Sequence, residues 1–282
     1  MKPIVIRAVS ATREFESMPV DDAISVCLLA SGSQGNAIYI TDGRSSILID
    51  AGLSGVEIQR RMAARDLDPQ QLDGIVVSHE HSDHIQAVGI LARRFKLPVH
   101  ISTDTYAAAQ KQLGKIDVIE RFNCGTPFQV GTLELHPFSI SHDATDPAGF
   151  TVTSNGTRIG IATDLGIATT MVKTHLQNCV ALIIEANHDR TMLAEGPYPW
   201  PLKQRIQSRS GHLSNDDTSK LLQAVLHDGL THVILAHLSE QNNTPDKALQ
   251  AVQRTLAGTG VKLSVAVQDN CSKVYTFKVK SR

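Results

Sequence analysis

Aromatic residues are scarce in this sequence: Phe, Trp and Tyr make up 4% of its 282 residues. That excludes an extended base-stacking platform of the kind used by general single-strand binders. Charge of one sign is also missing, since the formal net charge is −1. No global field draws the chain to nucleic acid or membrane, so a polyanion would have to meet a local basic patch. The four cysteines, Cys27, Cys124, Cys179 and Cys271, form no C-x-x-C pair. This argues against a zinc ribbon or a disulfide framework and fits a reducing cytoplasm. No apolar run approaches the ~20 residues of a membrane span. Residues 1–23 (MKPIVIRAVSATREFESMPVDDA) lack the continuous apolar core of a signal peptide and read as a weakly structured extension.

From residue 24 to 282 the chain reads as one domain of alternating strands and helices. ISVCLLA, AIYIT and SSILIDAG are strand-length apolar runs separated by the turn signals SGSQGN and DGRS. VEIQRRMAARDL has helical spacing, with Val56, Ile58 and Met62 apolar among arginines. GIVVS and PVHIST are strands; QAVGILARRF and TYAAAQKQL are helices, the latter capped by Thr105 or Asp104. The second half repeats the plan. Asn155-Gly156 is a hairpin turn between alternating runs. TTMVKTHLQ, DDTSKLLQAVLHDG (capped by Asn215 or Ser214) and DKALQAVQRTLAG are helices. VALIIEA and HVILAH are buried strands, KLSVAVQD and KVYTFKV closing ones, and GPYPWPLKQ an ordered loop. The pattern suits two sheets packed face to face with helices outside, or one large mixed sheet.

The chemistry concentrates in GIVVSHEHSDH, where His79, His81, Asp83 and His84 follow an apolar strand. A lone histidine there would be an ordinary surface residue; four ligand-type side chains in so short a stretch are a metal signal. His79 and His81, two apart, point the same way in extended backbone, whereas Asp83 and His84 diverge unless the loop turns. Imidazole nitrogen and carboxylate oxygen are zinc ligands at about 2.0–2.2 Å. His142, Asp164 and His237 each close an apolar strand and open a polar loop. Singly, each could equally be a capping or core polar residue. Together they could complete a two-metal site.

HEHSDH followed by His142, Asp164 and His237 resembles the ligand series of the metallo-β-lactamase-fold hydrolases, over nearly the whole chain from residue 24. The resemblance implies an α/β fold, a four-layer αββα sandwich with the site at one edge. It implies one ion on His79, His81 and His142, another on Asp83, His84 and His237, and Asp164 bridging. LASGSQGNA, EANHDRTML, GPYPWPLKQRIQSRSGHLSN and AHLSEQNN are similar to the YycJ/WalJ-type branch, bacterial cytoplasmic proteins associated with exonuclease action on DNA. The stretch between Asp164 and His237 is too short for the β-CASP insertion of larger nucleases in the superfamily.

Two divalent ions can clamp the oxygens of an in-line displacement at phosphorus and supply hydroxide at neutral pH. Asp83 could orient the attacking water or accept its proton. His212, outside the ligand set in SRSGHLSN, is the candidate to assist the phosphate or leaving group; a helix-entry histidine making a local hydrogen bond is the plain alternative. Lys203, Arg205 and Arg209 form an acid-free basic stretch suited to phosphate contact. Ser33 and Asn36 of SGSQGN could face a phosphate, although this is no P-loop. Asn187 and His188 could line the cleft, and Tyr198 with Trp200 could stack on bases. Arg60, Arg61 and Arg65, like Arg93, Arg94 and Lys96, read as solvent faces. The expectation is a phosphodiesterase, an exonuclease on single-stranded or end-exposed DNA in repair or metabolism, with two divalent ions: zinc, or manganese or iron. The alternatives are a small-molecule (cyclic phosphate) diesterase, a thioester or lactam hydrolase, and a metal-stabilised binding module.

Overall fold

The computed structural model describes residues 23–278. The expected N-terminal extension lies outside the described residues, save Ala23, which opens the first strand. In chain order the first half holds β1 (Ala23–Ala30), β2 (Ala37–Thr41), β3 (Ser46–Ile49), α1 (Gly55–Ala63), β4 (Gly74–Val76), α2 (Ser82–Ile85), α3 (Val88–Phe95), β5 (Val99–Ser102), α4 (Thr103–Leu113) and β6 (Ile119–Phe122). The second half holds β7 (Phe128–Val130), β8 (Leu133–Ser139), β9 (Ala148–Ser154), β10 (Thr157–Ala162), α5 (Thr170–Leu176), β11 (Ala181–Glu185), α6 (Arg190–Glu195), α7 (Trp200–Ile206), α8 (Asn215–Val225), β12 (His232–Ala236), α9 (Pro245–Leu256), β13 (Lys262–Val265) and β14 (Tyr275–Lys278).

The strands form two 7-stranded sheets, ordered β14-β1-β2-β3-β4-β5-β6 and β13-β12-β11-β10-β9-β8-β7. Three apolar clusters explain the layering. Inward-facing residues of both sheets, such as Ile24, Val26, Phe150, Val152 and Ile234, pack between them. On the outer face of the first sheet, Leu48, Ile75 and Val99 bury Ile58 and Met62 of α1, Leu91 of α3 and Leu113 of α4. On the outer face of the second, Leu182, Ile184 and Leu235 bury Val172 of α5, Leu221 of α8 and Val252 of α9. Both faces of the central strands are therefore buried, as their continuous apolar runs require. Each large side chain so buried contributes roughly 1.5–3 kcal/mol. The result is the α/β four-layer αββα sandwich; the single mixed sheet is not formed.

Strand direction positions the site. β3, β4 and β5 are parallel, as are β10, β11 and β12. Their carboxyl ends converge at one edge of the sandwich, where loops can carry function without disturbing the ladders. The hairpin between β9 and β10 turns at Asn155 (φ 46°) and Gly156 (φ 78°), the left-handed pair of a type I′ turn.

Several local expectations are corrected. Ser102, not Thr105 or Asp104, caps α4: its Oγ accepts from the Thr105 amide at 3.3 Å. Ser214 caps α8. Val56 is 76% exposed and takes no part in the buried face of α1. Arg61 is buried and donates to the carbonyls of Leu29 and Gln268, while Arg65 donates to those of Cys271 and Ser272, so both pin the 268–272 segment. Arg93 donates to the carbonyls of Leu113 and Lys115 and closes the end of α4. GPYPWPLKQ is not all loop: Trp200-Pro201 opens α7, a position where proline's missing amide costs nothing.

Candidate metal centre

The apolar strand β4 ends at Val76, and His79 follows it into the edge cleft. His81 stays extended (φ −61°, ψ 145°) and stands at the start of α2, so Asp83 and His84 fall in a helical turn. That turn lets the adjacent pair serve one cleft. Gly52 lets it pack: a Cβ there would lie 1.6 Å from the Asp83 carbonyl oxygen.

The expected ligand residues come together. Ligand atoms of His79, His81 and His142 lie within 4.8 Å of one another, as do those of Asp83, His84 and His237. His79 Nε2 is 3.1 Å from His81 Nδ1, and His142 Nε2 is 3.3 Å from the same atom. Asp164 stands between the groups, Oδ2 3.3 Å from His84 Nε2 and Oδ1 3.3 Å from His237 Nε2. Donors at 2.0–2.2 Å around a tetrahedral ion are separated by about 3.3–3.6 Å, close to the 3.1–3.3 Å between these atoms.

Partners behind the ring nitrogens fix the tautomers. His84 Nδ1 donates to Asp50 Oδ2 at 2.7 Å, His237 Nδ1 to Glu185 Oε1 at 3.0 Å, and His142 Nδ1 to the Gly211 carbonyl at 3.2 Å. Each directs its Nε2 toward the cleft, where a cation would take the place of a proton. Asp50 also accepts from the amide and hydroxyl of Ser78. Three of these residues sit at strand ends in the left-handed region: Asp50 (φ 60°), Asp164 (φ 58°) and His237 (φ 55°). Such conformations are uncommon outside glycine and cluster where function over-determines the backbone.

The residues fit divalent cations. Asp164 Oδ2 and His237 Nε2 are buried without a hydrogen-bond partner, as atoms reserved for another group would be. Asp50, Asp164 and Glu185 are buried and Asp83 half-buried, and their partners are imidazoles, hydroxyls and amides, not Lys or Arg. Positive charge is wanted there. Burial opposes charge on His84, yet Asp164 and Asp50 raise its pKa well above the ordinary value. Against the same burial, Asp164 chiefly pushes His237 up to about 10. Asp164 itself is held well below the usual carboxylate range, despite burial, by His237 and His84.

His212 joins this centre through Glu185, whose Oε1 lies 2.7 Å from His212 Nδ1. Burial opposes ionisation of Glu185, but His212 and His237 lower its pKa to about 2. His212 is half-buried and lines a cavity of about 170 Å³ with Ser33, Asp143, Asn187, Tyr198 and Arg205.

Comparison with known proteins agrees with this geometry. Residues 45–238 match the family described as β-lactamase superfamily domain. The chain is 36% identical over 253 residues to exodeoxyribonuclease YycJ of Bacillus anthracis, covering 88% of this chain and 96% of that protein. This chain belongs to the metallo-β-lactamase superfamily. Within it, exodeoxyribonuclease WalJ of Streptococcus pneumoniae is also 36% identical, over 84% of this chain and 91% of its own. The crystal structure of the metallo-β-lactamase fold protein YhfI from Bacillus subtilis superposes with a TM-score of 0.71 at 16% identity, covering 91% of this chain and all of the other. Divalent metal binding follows from this fold and the histidine–aspartate clusters.

Within this metallo-β-lactamase site the remaining expected residues scatter. Ser33 and Asn187 line the cavity. Asn36 is buried, donating to Asp83 Oδ2 at 3.2 Å and to the Gly32 carbonyl, and so steadies the ligand loop. His188 is 2% exposed, and burial lowers its pKa to about 4, so it supports the fold as a neutral ring. Lys203 donates to the Ala194 carbonyl at 2.7 Å, and Arg205 pairs with Asp143. Arg209 is exposed and lines a second cavity. Trp200 is exposed, whereas Tyr198 lines the cavity wall. The sequence reading missed Asp50 and Glu185. Their signal, an acid ending an apolar strand in SILID and LIIE, is the one that drew notice to Asp164.

Proposed function

We propose that this protein is a dinuclear-metal phosphodiesterase acting as an exonuclease on single-stranded or end-exposed DNA. The observation that carries this reading is that the ligand cluster and His212 share one cleft and one carboxylate, Glu185. The exodeoxyribonuclease relatives support DNA as the substrate class. His79, His81 and His142 would hold one ion, Asp83, His84 and His237 the other, with Asp164 between them. Imidazole-rich donors favour zinc, with manganese or iron able to serve. Bound there, two divalent ions supply positive charge to the phosphoryl oxygens and acidity to a water.

The chain's own residues do the rest. Asp83, steadied by Asn36 at 3.2 Å, orients the attacking water or takes its proton. His212 acts as the imidazolium: it keeps its Nδ1 proton toward Glu185 and gives its Nε2 proton to the departing oxygen, ending as the neutral ring. Tyr198, Leu202 and Ile206 form an apolar wall beside His212 for the terminal nucleoside, and Ser33 and Asn187 supply polar contacts. A cavity of about 170 Å³ suits a strand end better than a continuous duplex. The free thiols Cys27, Cys124, Cys179 and Cys271 suit a reducing compartment, and we place the protein in the cytoplasm. Among the described residues no helix is long and apolar enough to cross a membrane.

The deciding experiment supplies metal-loaded protein with end-labelled single-stranded DNA, a cyclic phosphate and a thioester. Stepwise shortening of the DNA is expected. Turnover of the cyclic phosphate alone would reassign the site to a small-molecule diesterase, and of the thioester alone to an acyl hydrolase. No turnover by fully loaded protein would sink the enzymatic reading.

A further inference from the structure

On the other side of the 207–213 segment from the His212 cavity lies a second one, of about 320 Å³. Its wall carries three cations, Lys173, Arg209 and Lys220, against one carboxylate, Asp217. That carboxylate is already engaged by Arg190 at 2.7 Å and Lys220 at 3.0 Å. The side chains of Lys173 and Arg209 make no ion pair or hydrogen bond among the described residues. Leu213 and Leu221 add apolar lining.

This cavity is tied to the metal centre. The Ser141 hydroxyl, beside His142, donates to the Arg209 carbonyl at 2.7 Å. The Gly166 amide, two residues after Asp164, donates to the Ser141 carbonyl at 2.8 Å. Gly166 must be glycine for this packing, since a Cβ would lie 2.2 Å from the Arg209 carbonyl oxygen. The Gly211 carbonyl meanwhile accepts from His142. The 207–211 turn is therefore tied by hydrogen bonds to the His142 loop and through Ser141 to the Asp164 loop, which sets the Arg209 backbone in register with the metal centre.

We propose that this cavity is a phosphate subsite for the strand beyond the scissile bond, with Lys173 and Arg209 contacting backbone phosphates and Lys220 adding charge. It rests on the nucleic-acid reading above, and shifts the basic track from Lys203 and Arg205, which are engaged internally, to Lys173 on α5, Arg209 on the 207–211 turn and Lys220 on α8. The recognised group is the phosphodiester anion, not a base, because the cavity offers cations over an apolar floor and no aromatic ring. The strand lies over the 207–211 turn, its end beside His212 and its following phosphates at Lys173 and Arg209.

The test compares wild type with the Lys173→Gln/Arg209→Gln double variant, both side chains lying outside the core. Binding of a labelled single strand of about ten nucleotides, a span typical of one single-strand site, is followed by anisotropy across a salt series in metal-free protein. The slope of log K against log salt should flatten by about 0.7 for each phosphate the variant no longer neutralises. In metal-loaded protein, the ratio of kcat/KM for that strand to kcat/KM for a dinucleotide should fall about ten-fold, a ratio that cancels any general loss of folded enzyme. A wild type that binds and cleaves the strand, with a variant matching it in slope and ratio, overturns the subsite alone. A wild type that neither binds nor cleaves it overturns the DNA reading and the subsite together.

Discussion

His212 and His237 donate to the same oxygen: Glu185 Oε1 is 2.7 Å from one Nδ1 and 3.0 Å from the other, and the two rings stack at 5.2 Å. A candidate proton donor and a candidate metal ligand are thus oriented by one buried carboxylate. Its second oxygen accepts the amides of Leu165 and Leu213, which leaves Glu185 no freedom to serve either histidine alone. Glu185→Gln keeps the volume but presents one acceptor oxygen and an amide that cannot accept. Metal affinity should fall about 10–100-fold, as for other groups that orient ligands, with kcat falling too. Chelator competition and kinetics on the same preparation check both. A variant losing one property alone would show that the two histidines are oriented independently.

His212→Ala and His237→Ala should part company in spite of that shared oxygen. Without His212, Glu185 still holds His237, so both ions should remain while kcat drops by roughly 10²–10⁴, the range for a lost general acid or base. His237→Ala should weaken one ion along with activity. A substrate with a nitrophenolate leaving group needs little protonation and should partly rescue His212→Ala. Metal loss from His212→Ala, or wild-type turnover, would remove the role assigned to it.

How much of this was legible in the sequence depended on whether the information was local. The sandwich was readable because GIVV, LIIE and HVILA are unbroken apolar runs of strand length. β6 was not read, because IERF, at a sheet edge, alternates charge with apolar residues and has no strong run. α7 was hidden by Pro199 and Pro201, which serve as a helix start rather than a loop. The ligands were readable because HEHSDH is dense. Asp50 and Glu185 end apolar strands as Asp164 does, but neither falls in the ligand series of the family that the chain resembles, and only the convergence of strand ends gives each a histidine to hold. The left-handed backbone at Asp50, Asp164 and His237 also lies beyond any local pattern.

Asp50→Ala tests the strand-end acid that the sequence reading passed over. It removes the acceptor of His84 Nδ1 and of both Ser78 donors. His84 is fully buried and would lose its orientation. The second ion, on Asp83, His84 and His237, should weaken about 10–100-fold, and the first should suffer less. Stepwise metal titration by calorimetry separates the two; equal weakening of both would mean that Asp50 supports the whole cleft rather than His84.

Asp42 carries the stability prediction, away from the metal centre. In the turn between β2 and β3, its Oδ2 accepts from Ser154 Oγ at 2.6 Å and Thr132 Oγ1 at 2.7 Å, and its Oδ1 from the amides of Arg44 and Ser45 at 2.9 Å. It thereby stitches one sheet to the other. Burial opposes its charge, but the hydrogen bonds to Ser154, Thr132 and the two amides hold its pKa well below the usual carboxylate range. A folded pKa below the unfolded value of about 3.9 means that the stabilisation is fully present above about pH 4–5 and is lost as pH falls further. Asp42→Asn should cost about 1–3 kcal/mol at pH 7, because the amide cannot accept all four donors. It should also unfold with a shallower dependence on pH between 5 and 3, so that the gap to wild type narrows in acid. Urea unfolding of metal-free protein across that range measures both, with protonation of the metal ligands common to the two chains. Parallel curves would mean that Asp42 is no more acidic folded than unfolded, and that the stitch does not depend on its charge.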